Sequence, residues 1–368
     1  MNIPWATPWL DDAEKKELVD AFDSTWLSMG PRTRRLEERM AAYIGSKHAI
    51  AVSNGTDALD LALKAMGVGP GDEVVVPAMT YIATVSAVLY QNARPVFADI
   101  EMDSYNLDAA AAGRQVTPKT KCILYIDYGG NPADHQGLRA LSKKTGVPLL
   151  QDGAQSLGAE FKGERLCRQG VVCTTSFHTA KLMTSIEGGM LFTEDDDKAA
   201  HIRMMRNQGE DPKQKYIHPV LGTNARMTDM QAAIALRQLD KFEAILKRRA
   251  EIARYYYDRF AGNPGITLPK VRPGATCAWF FAPILVENRD AVAKALKEAG
   301  VDTRVAYPMP VYEQPFYRRY AAPGPAPDCP NAKRMTQRVL NLPMFHGITE
   351  EQLAYVADKT LEAVERRA

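Results

Sequence analysis

With 368 residues, 46% of them hydrophobic and 24% charged, the chain has room for two packed domains and no bias toward disorder or repeats. Its 46 basic and 44 acidic residues leave a formal charge of +2, which removes the electrostatic case for a nucleic-acid partner or an anionic membrane surface. Five cysteines without a C-x-x-C pair, an acidic start with no leader pattern and no run of 18 apolar residues lead us to expect a cytoplasmic protein with reduced thiols and no membrane span.

The first 48 residues read as an N-terminal arm and helices. Asp11, Asp12 and Glu14 offer acidic N-cap chemistry for a helix through Phe22. Met29-Gly30-Pro31 interrupts the pattern, and Leu36, Met40 and Tyr43 resume helical spacing from Thr33. Trp26, beside this Gly-Pro turn, reads as a packing residue.

From about residue 49 to 200 apolar strands alternate with helices. Strands are expected at 49–52, 73–76, 95–98, 122–126, 149–150, 170–177 and 190–193, with helices at 56–66, 80–90 and 136–145. Strands apolar along their whole length need cover on both faces, which calls for a largely parallel α/β sheet. Ligands then sit beyond the carboxyl ends of the strands.

One long helix is expected over 229–248, where Ala233, Leu236, Leu239, Phe242 and Leu246 form a stripe. An apolar run over 278–286, a helix over 290–299, a strand over 301–305, a proline-rich loop over 321–330 and two closing helices follow. The expected division is a large domain with its N-terminal arm at 1–245 and a small C-terminal α/β domain at 246–368.

Three stretches at strand ends carry chemistry. Lys181 lies between an apolar strand and the turn Glu187-Gly188-Gly189, and a buried lysine with a lowered pKa condenses with a carbonyl and moves protons. A lone lysine is ordinarily a solvated surface charge, so the setting matters. Asp152 ends an apolar run; it either caps a helix or pairs with a protonated pyridine nitrogen, with Gln155 near the ring hydroxyl.

Asn54-Gly55-Thr56-Asp57 opens a helix directly after a strand, where free N–H groups and the helix dipole hold an anion. The spacings G-x-G-x-x-G and G-x-x-x-x-G-K-[ST] are missing, which argues against dinucleotides and nucleoside triphosphates. Ser176 offers a second hydroxyl, and Tyr81 is either a core aromatic or a stacking platform. No histidine or cysteine spacing suits a metal, and no G-x-S-x-G elbow occurs. An amine, a buried carboxylate and a phosphate cradle are what pyridoxal 5'-phosphate (PLP) requires.

Taken in order, these segments resemble the DegT/DnrJ/EryC1/StrS aminotransferases. The resemblance runs through Trp26-Leu27-Ser28-Met29-Gly30-Pro31, Ser53-Asn54-Gly55-Thr56-Asp57, Pro77-Ala78-Met79-Thr80-Tyr81 and Asp152-Gly153-Ala154-Gln155. It continues through Ser176-Phe177-His178-Thr179-Ala180-Lys181, Gly222-Thr223-Asn224-Ala225-Arg226 and Asn341-Leu342-Pro343-Met344.

The resemblance implies PLP fold type I with a mostly parallel seven-stranded sheet. Lys181 would bind the cofactor covalently, Asp152 would pair with the ring nitrogen, Gln155 would lie near the ring hydroxyl and Tyr81 would stack on the ring. Gly55, Thr56, Asp57 and Ser176 would hold the phosphate. Asn224 would reach the cofactor of a neighbouring subunit, making a homodimer with shared sites.

Members acting as dehydratases carry histidine in place of the lysine, so Lys181 favours transamination from glutamate or glutamine to a nucleotide-linked keto sugar. The arrangement of Thr184, Glu187, Gly188 and Gly189 after Lys181 is similar to members acting at C4 of a 4-keto-6-deoxyhexose. His178, Glu187 and Arg226 are the expected acceptor contacts. A cyclitol (keto-inositol) aminotransferase and a non-catalytic regulatory protein of the same fold are the alternatives. The chain departs from the family pattern at Ile186, where many members have glycine, and at Ala278-Trp279.

Overall fold

Residues 1–320 and 327–366 are described by the computed structural model, so residues 321–326 of the expected proline-rich loop lie outside the described residues. Helix α1 (Asp12–Asp23) begins at Asp11, whose side chain accepts the Ala13 N–H at 2.9 Å while Glu14 accepts the Asp11 N–H at 2.9 Å. Helix α2 (Pro31–Ile44) starts on the proline itself, at a first-turn position whose N–H would have no partner within the helix. Trp26 donates its indole N–H to the Met29 carbonyl at 3.3 Å across this turn.

The start of α2 is held by a carboxylate nearly 200 residues away. Asp229, fully buried, accepts from the N–H groups of Gly30 at 2.8 Å, Arg32 at 3.0 Å and Thr33 at 2.9 Å, and from the Thr33 hydroxyl at 2.6 Å. Replacing Asp229 by alanine leaves these donors without a partner. The expected loss is about 3 kcal/mol of stability. A shift of the urea midpoint at unchanged slope is the measurement; a variant as stable as the parent would remove this cap from the account.

The central sheet is built from β1 (His48–Val52), β2 (Glu73–Pro77), β3 (Arg94–Ala98), β4 (Thr120–Ile126), β5 (Leu149–Asp152), β8 (Val172–Ser176) and β9 (Gly189–Thr193). A short hairpin, β6 (Glu160–Phe161) and β7 (Glu164–Arg165), lies between β5 and β8. The seven strands lie in the order β1-β9-β8-β5-β4-β2-β3. Only β9 runs against its neighbours, antiparallel to both β1 and β8. Six strands therefore present their carboxyl ends along one edge, and β9 begins there.

Helices α3 (Gly55–Ala65), α4 (Ile82–Tyr90), α5 (Ala109–Arg114), α6 (His135–Thr145) and α7 (Asp196–Arg206) follow individual strands. Residues of β1, β2, β4, β5, β8 and β9 with Ala58, Leu59, Leu61, Val85 and Val88 make one large apolar cluster.

Two expectations need correction, and one apolar run is strand over only part of its length. The helix expected over 229–248 is two helices, α8 (Asp229–Asp240) and α9 (Phe242–Phe260), broken at Lys241 (φ −109°, ψ 8°). There the Lys241 ammonium pairs with Asp11 at 2.9 Å and Glu14 at 2.7 Å from α1 and its cap. Helix α9 then runs from the large cluster, through Phe242 and Ile245, into a second one at Ile252, Ala253, Tyr256 and Phe260.

Of the apolar run 278–286 only β12 (Pro283–Val286) is a strand, because Trp279 takes φ +53° and cannot continue one. Arg249 of α9 explains the interruption: its guanidinium donates to the carbonyls of Trp279 and Phe280, both at 2.7 Å, and of Met344 at 3.2 Å. Those are the oxygens a neighbouring strand would have used.

The strand expected over 301–305 reduces to two isolated bridges, Ile3 with Val301 and Arg304 with Asn341. The second cluster packs on the sheet β10 (Ile266–Thr267), β12 and β13 (Val339–Asn341), while β11 (Ala275–Thr276) joins β6. Helices α10 (Arg289–Glu298), α11 (Tyr317–Tyr320), α12 (Pro330–Arg338) and α13 (Glu350–Glu365) complete the described chain. None of the described helices is long and apolar enough to cross a membrane.

Candidate active site

The carboxyl edge of the sheet opens into a cleft of about 970 Å³. Its floor is Lys181, in the loop that joins β8 to β9. Three backbone bonds at 2.8 Å shape that loop, from Lys181 N–H to His178, Ser185 N–H to Phe177 and Phe177 N–H to Gly188. The ammonium lies 4.8 Å over the Phe280 ring. Burial pulls the Lys181 pKa down from 10.5 to about 8, against the charge of Asp152, which favours the protonated form.

Asp152, at the end of β5, is buried beside it. Thr84 donates to one carboxylate oxygen at 2.9 Å and the Ala154 N–H to the other at 3.1 Å. Burial raises the Asp152 pKa above the ordinary carboxylate value, while the Ala154 N–H, Lys181 and Thr84 oppose that rise. The carboxylate is fixed in place and lacks a full counter-charge. A cation arriving in the cleft completes it.

The lowered Lys181 pKa has a checkable sign. Folding disfavours the protonated amine, so the cofactor-free chain gains stability as pH rises from about 8 toward 10.5 and feels the burial penalty in full below that window. Capture of an aldehyde at Lys181, followed by mass spectrometry, is expected to accelerate through a midpoint near pH 8 and level off above it. A midpoint at about 10, the value of a solvated lysine, would refute the buried amine.

The anion cradle sits between β1 and α3. The Asn54 side chain caps the helix by accepting the Asp57 N–H at 2.8 Å, leaving Gly55 and Thr56 to open the first turn. The Asp57 carboxylate is held by Ser53 and by the Asn54 amide at 2.9 Å, so it braces the turn. Gly55 is required by close approach: a Cβ there would stand 2.8 Å from the Ser176 Cβ at the end of β8. Two strand ends thus meet around one pocket of N–H and hydroxyl donors.

Tyr81 precedes α4 and lines the cleft with its ring half exposed. Gln155 also lines it, with its carbonyl oxygen accepting the Gly129 N–H at 2.7 Å. At the rim His178 and Glu187 face each other at 3.6 Å, both half exposed. Ile186, on the same loop, holds φ at +74°, which costs a β-branched residue about 1–2 kcal/mol and suits glycine better.

The structure brings Lys181, Asp152, Gly55, Thr56, Asp57, Tyr81, Gln155, Ser176, His178 and Glu187 to one cleft. It leaves Asn224 and Arg226 outside the lining. Asn224 is exposed beside Asn207, and Arg226 donates to the Asn207 side chain at 2.8 Å. Sequence reasoning did not single out Thr84, Phe280, Phe281 or Tyr307. Thr84 was within reach, three residues beyond Tyr81 and thus on the same helical face; the other three carry no local signal.

These side chains fit PLP: an amine of lowered pKa for the aldehyde, a buried acid for the ring nitrogen and a cradle that a single Cβ would fill for the phosphate. The comparisons agree. GDP-perosamine synthase of Caulobacter vibrioides is 37% identical over 99% of this chain and 98% of its own length. The dTDP-3-amino-3,4,6-trideoxy-alpha-D-glucose transaminase of Streptomyces venezuelae is 36% identical over 95% of this chain and 91% of its own.

Among solved structures, Spr1654 of Streptococcus pneumoniae in its PLP form superposes with a TM-score of 0.95, at 27% identity and full coverage (100%) of both chains. Residues 8–361 match the DegT/DnrJ/EryC1/StrS aminotransferase family. The chain belongs to that family, and it is a PLP-dependent aminotransferase of fold type I.

Proposed function

We propose that the enzyme moves an amino group from glutamate or glutamine to a nucleotide-linked keto sugar, a 4-keto-6-deoxyhexose. The observation that carries this reading is the open cleft itself: an amine of lowered pKa at its floor, and Trp5, Tyr81 and Tyr90 along its walls and rim. Aromatic faces of this kind stack on sugar and base rings. The names of both curated relatives described above refer to nucleotide-linked amino sugars, which supports the same acceptor class.

Bound PLP supplies an electron sink that stabilises negative charge on the carbon bearing the amino group. The protein's own groups do the rest. Asp152 keeps a proton on the ring nitrogen. Lys181 takes the proton from the substrate carbon beside the nitrogen and delivers it again, a task suited to an amine with a pKa of about 8. Gly55, Thr56 and Ser176 hold the phosphate, and the Phe280 ring covers one side of the amine. His178 and Glu187 receive sugar hydroxyls at the rim.

Among the described residues that line the cleft, Lys181 is the one lysine or arginine, so the positive charge facing a diphosphate comes from elsewhere. We assign it to Arg226 of a second copy, with Asn224 reaching the cofactor phosphate. Support comes from the loop just before Asn224, where Tyr216, Ile217 and Leu221 are exposed, Leu221 at 93%. A subunit contact would cover that apolar surface. We also propose that residues 1–245 form the cofactor-binding domain and 246–368 a smaller one, joined through α9.

Titration of the purified enzyme with nucleoside diphosphates and their sugars tests the acceptor. Saturable binding and amination of a nucleotide-linked 4-keto sugar are expected. Amination of a keto-inositol, with no nucleotide binding, would replace this reading with the cyclitol one.

A further inference from the structure

Gln155 joins stretches of chain that lie far apart in sequence. Because its Oε1 accepts the Gly129 N–H, its Nε2 is the atom that faces Tyr307 and donates to the phenol oxygen at 3.0 Å. A phenol that accepts from an amide still has its own proton to give. Tyr307 lines the cleft, with its ring 6.0 Å from Tyr81 and tilted by 40°. Behind it, the Tyr128 hydroxyl donates to the Ala306 carbonyl and pins the segment.

The phenol also lies within the field of Asp152. Burial, and then that charge, hold the Tyr307 pKa well above its ordinary value, so it serves as a neutral donor. In a 3-hydroxypyridine ring the oxygen is attached two atoms from the nitrogen. Tyr307 is bonded to Gln155, three residues beyond Asp152 at the end of β5, and all three line the same cleft, so a donor there is placed for that oxygen.

We propose that Tyr307 is a second hydrogen-bond donor, beside Gln155, to the ring oxygen of bound PLP, and that the Gly129–Gln155 pair orients it for this contact. The inference rests on the cofactor assignment and is independent of which acceptor is used. Two donors on one oxygen favour its anionic form.

The test uses the Lys181→Ala protein, in which PLP binds reversibly, with and without Tyr307→Phe. Each is titrated with PLP and with the 3-deoxy analogue, which lacks the ring hydroxyl. Tyr307→Phe is expected to weaken PLP about tenfold or more and to leave the analogue within about twofold. Equal losses for both ligands would reduce Tyr307 to a packing residue, and an unchanged PLP affinity would overturn the proposal outright. In the chain that keeps Lys181, where the cofactor stays attached, Tyr307→Phe is also expected to move the visible absorbance maximum at fixed pH. An unmoved band counts against the contact even where the double variant folds poorly. Failure of the Lys181→Ala protein itself to bind PLP would overturn the cofactor assignment along with it.

Discussion

Lys181→Ala is expected to lower turnover by about four orders of magnitude or more while leaving the fold intact. The side chain supplies both the covalent hold on the cofactor and the proton carrier, so no neighbour replaces it. Stability is not expected to suffer, because the folded protein already disfavours the charged amine and alanine removes that burden. Lys181→Arg is expected to be equally inactive, since a guanidinium does not shed its proton at any working pH.

The readouts are amino-sugar formation and the visible band of the bound cofactor, and turnover surviving in either variant would rule Lys181 out. The same variant tests the shared site. Mixed with Asn224→Ala, it forms hybrids in which one site keeps both residues, and part of the activity should return. No recovery on subunit exchange would place Asn224 outside its partner's site.

Asp152→Asn has the second largest expected effect, a fall in turnover of about 10²–10³-fold with the cofactor still bound. Asparagine keeps the size of the side chain; its one oxygen can accept the Ala154 N–H while its amide donates to the Thr84 hydroxyl oxygen, so packing changes little. What disappears is the charge that holds a proton on the ring nitrogen. The substitution also acts on its neighbour: without the carboxylate, the Lys181 pKa falls further below about 8. Aldehyde capture at Lys181 should therefore begin at lower pH in Asp152→Asn than in the parent, even as turnover collapses. A variant with parental turnover would separate Asp152 from the chemistry.

Much of this site is legible from short stretches because each part sits where a strand stops. Asp152, Ser176 and the Asn54-Gly55-Thr56 turn all follow apolar runs whose period and length identify buried strands. A parallel sheet brings such ends together whatever the loops do. Tyr307 and Phe280 were beyond that logic, since their place depends on packing between segments about 150 and 100 residues from Gln155 and Lys181 in the chain.

Two of the misread stretches share one cause. An apolar pattern cannot register a distant charge that captures carbonyls, as Arg249 does at 279–280, or that bends a helix, as Asp11 and Glu14 do through Lys241. Helices α5 and α7 were passed over because one is only six residues long and the other has mostly polar faces.

Arg249 has one more consequence. The aromatic plate that the reactive nitrogen rests on hangs, through the peptide oxygens of 279 and 280, from a helix whose far half is rooted in a different apolar cluster. A tilt of that helix would swing the plate against the amine and change how dry its surroundings are. Were the helix to tilt in this way, the basicity of the nucleophile would follow the pose of a distant lever in the C-terminal part of the molecule.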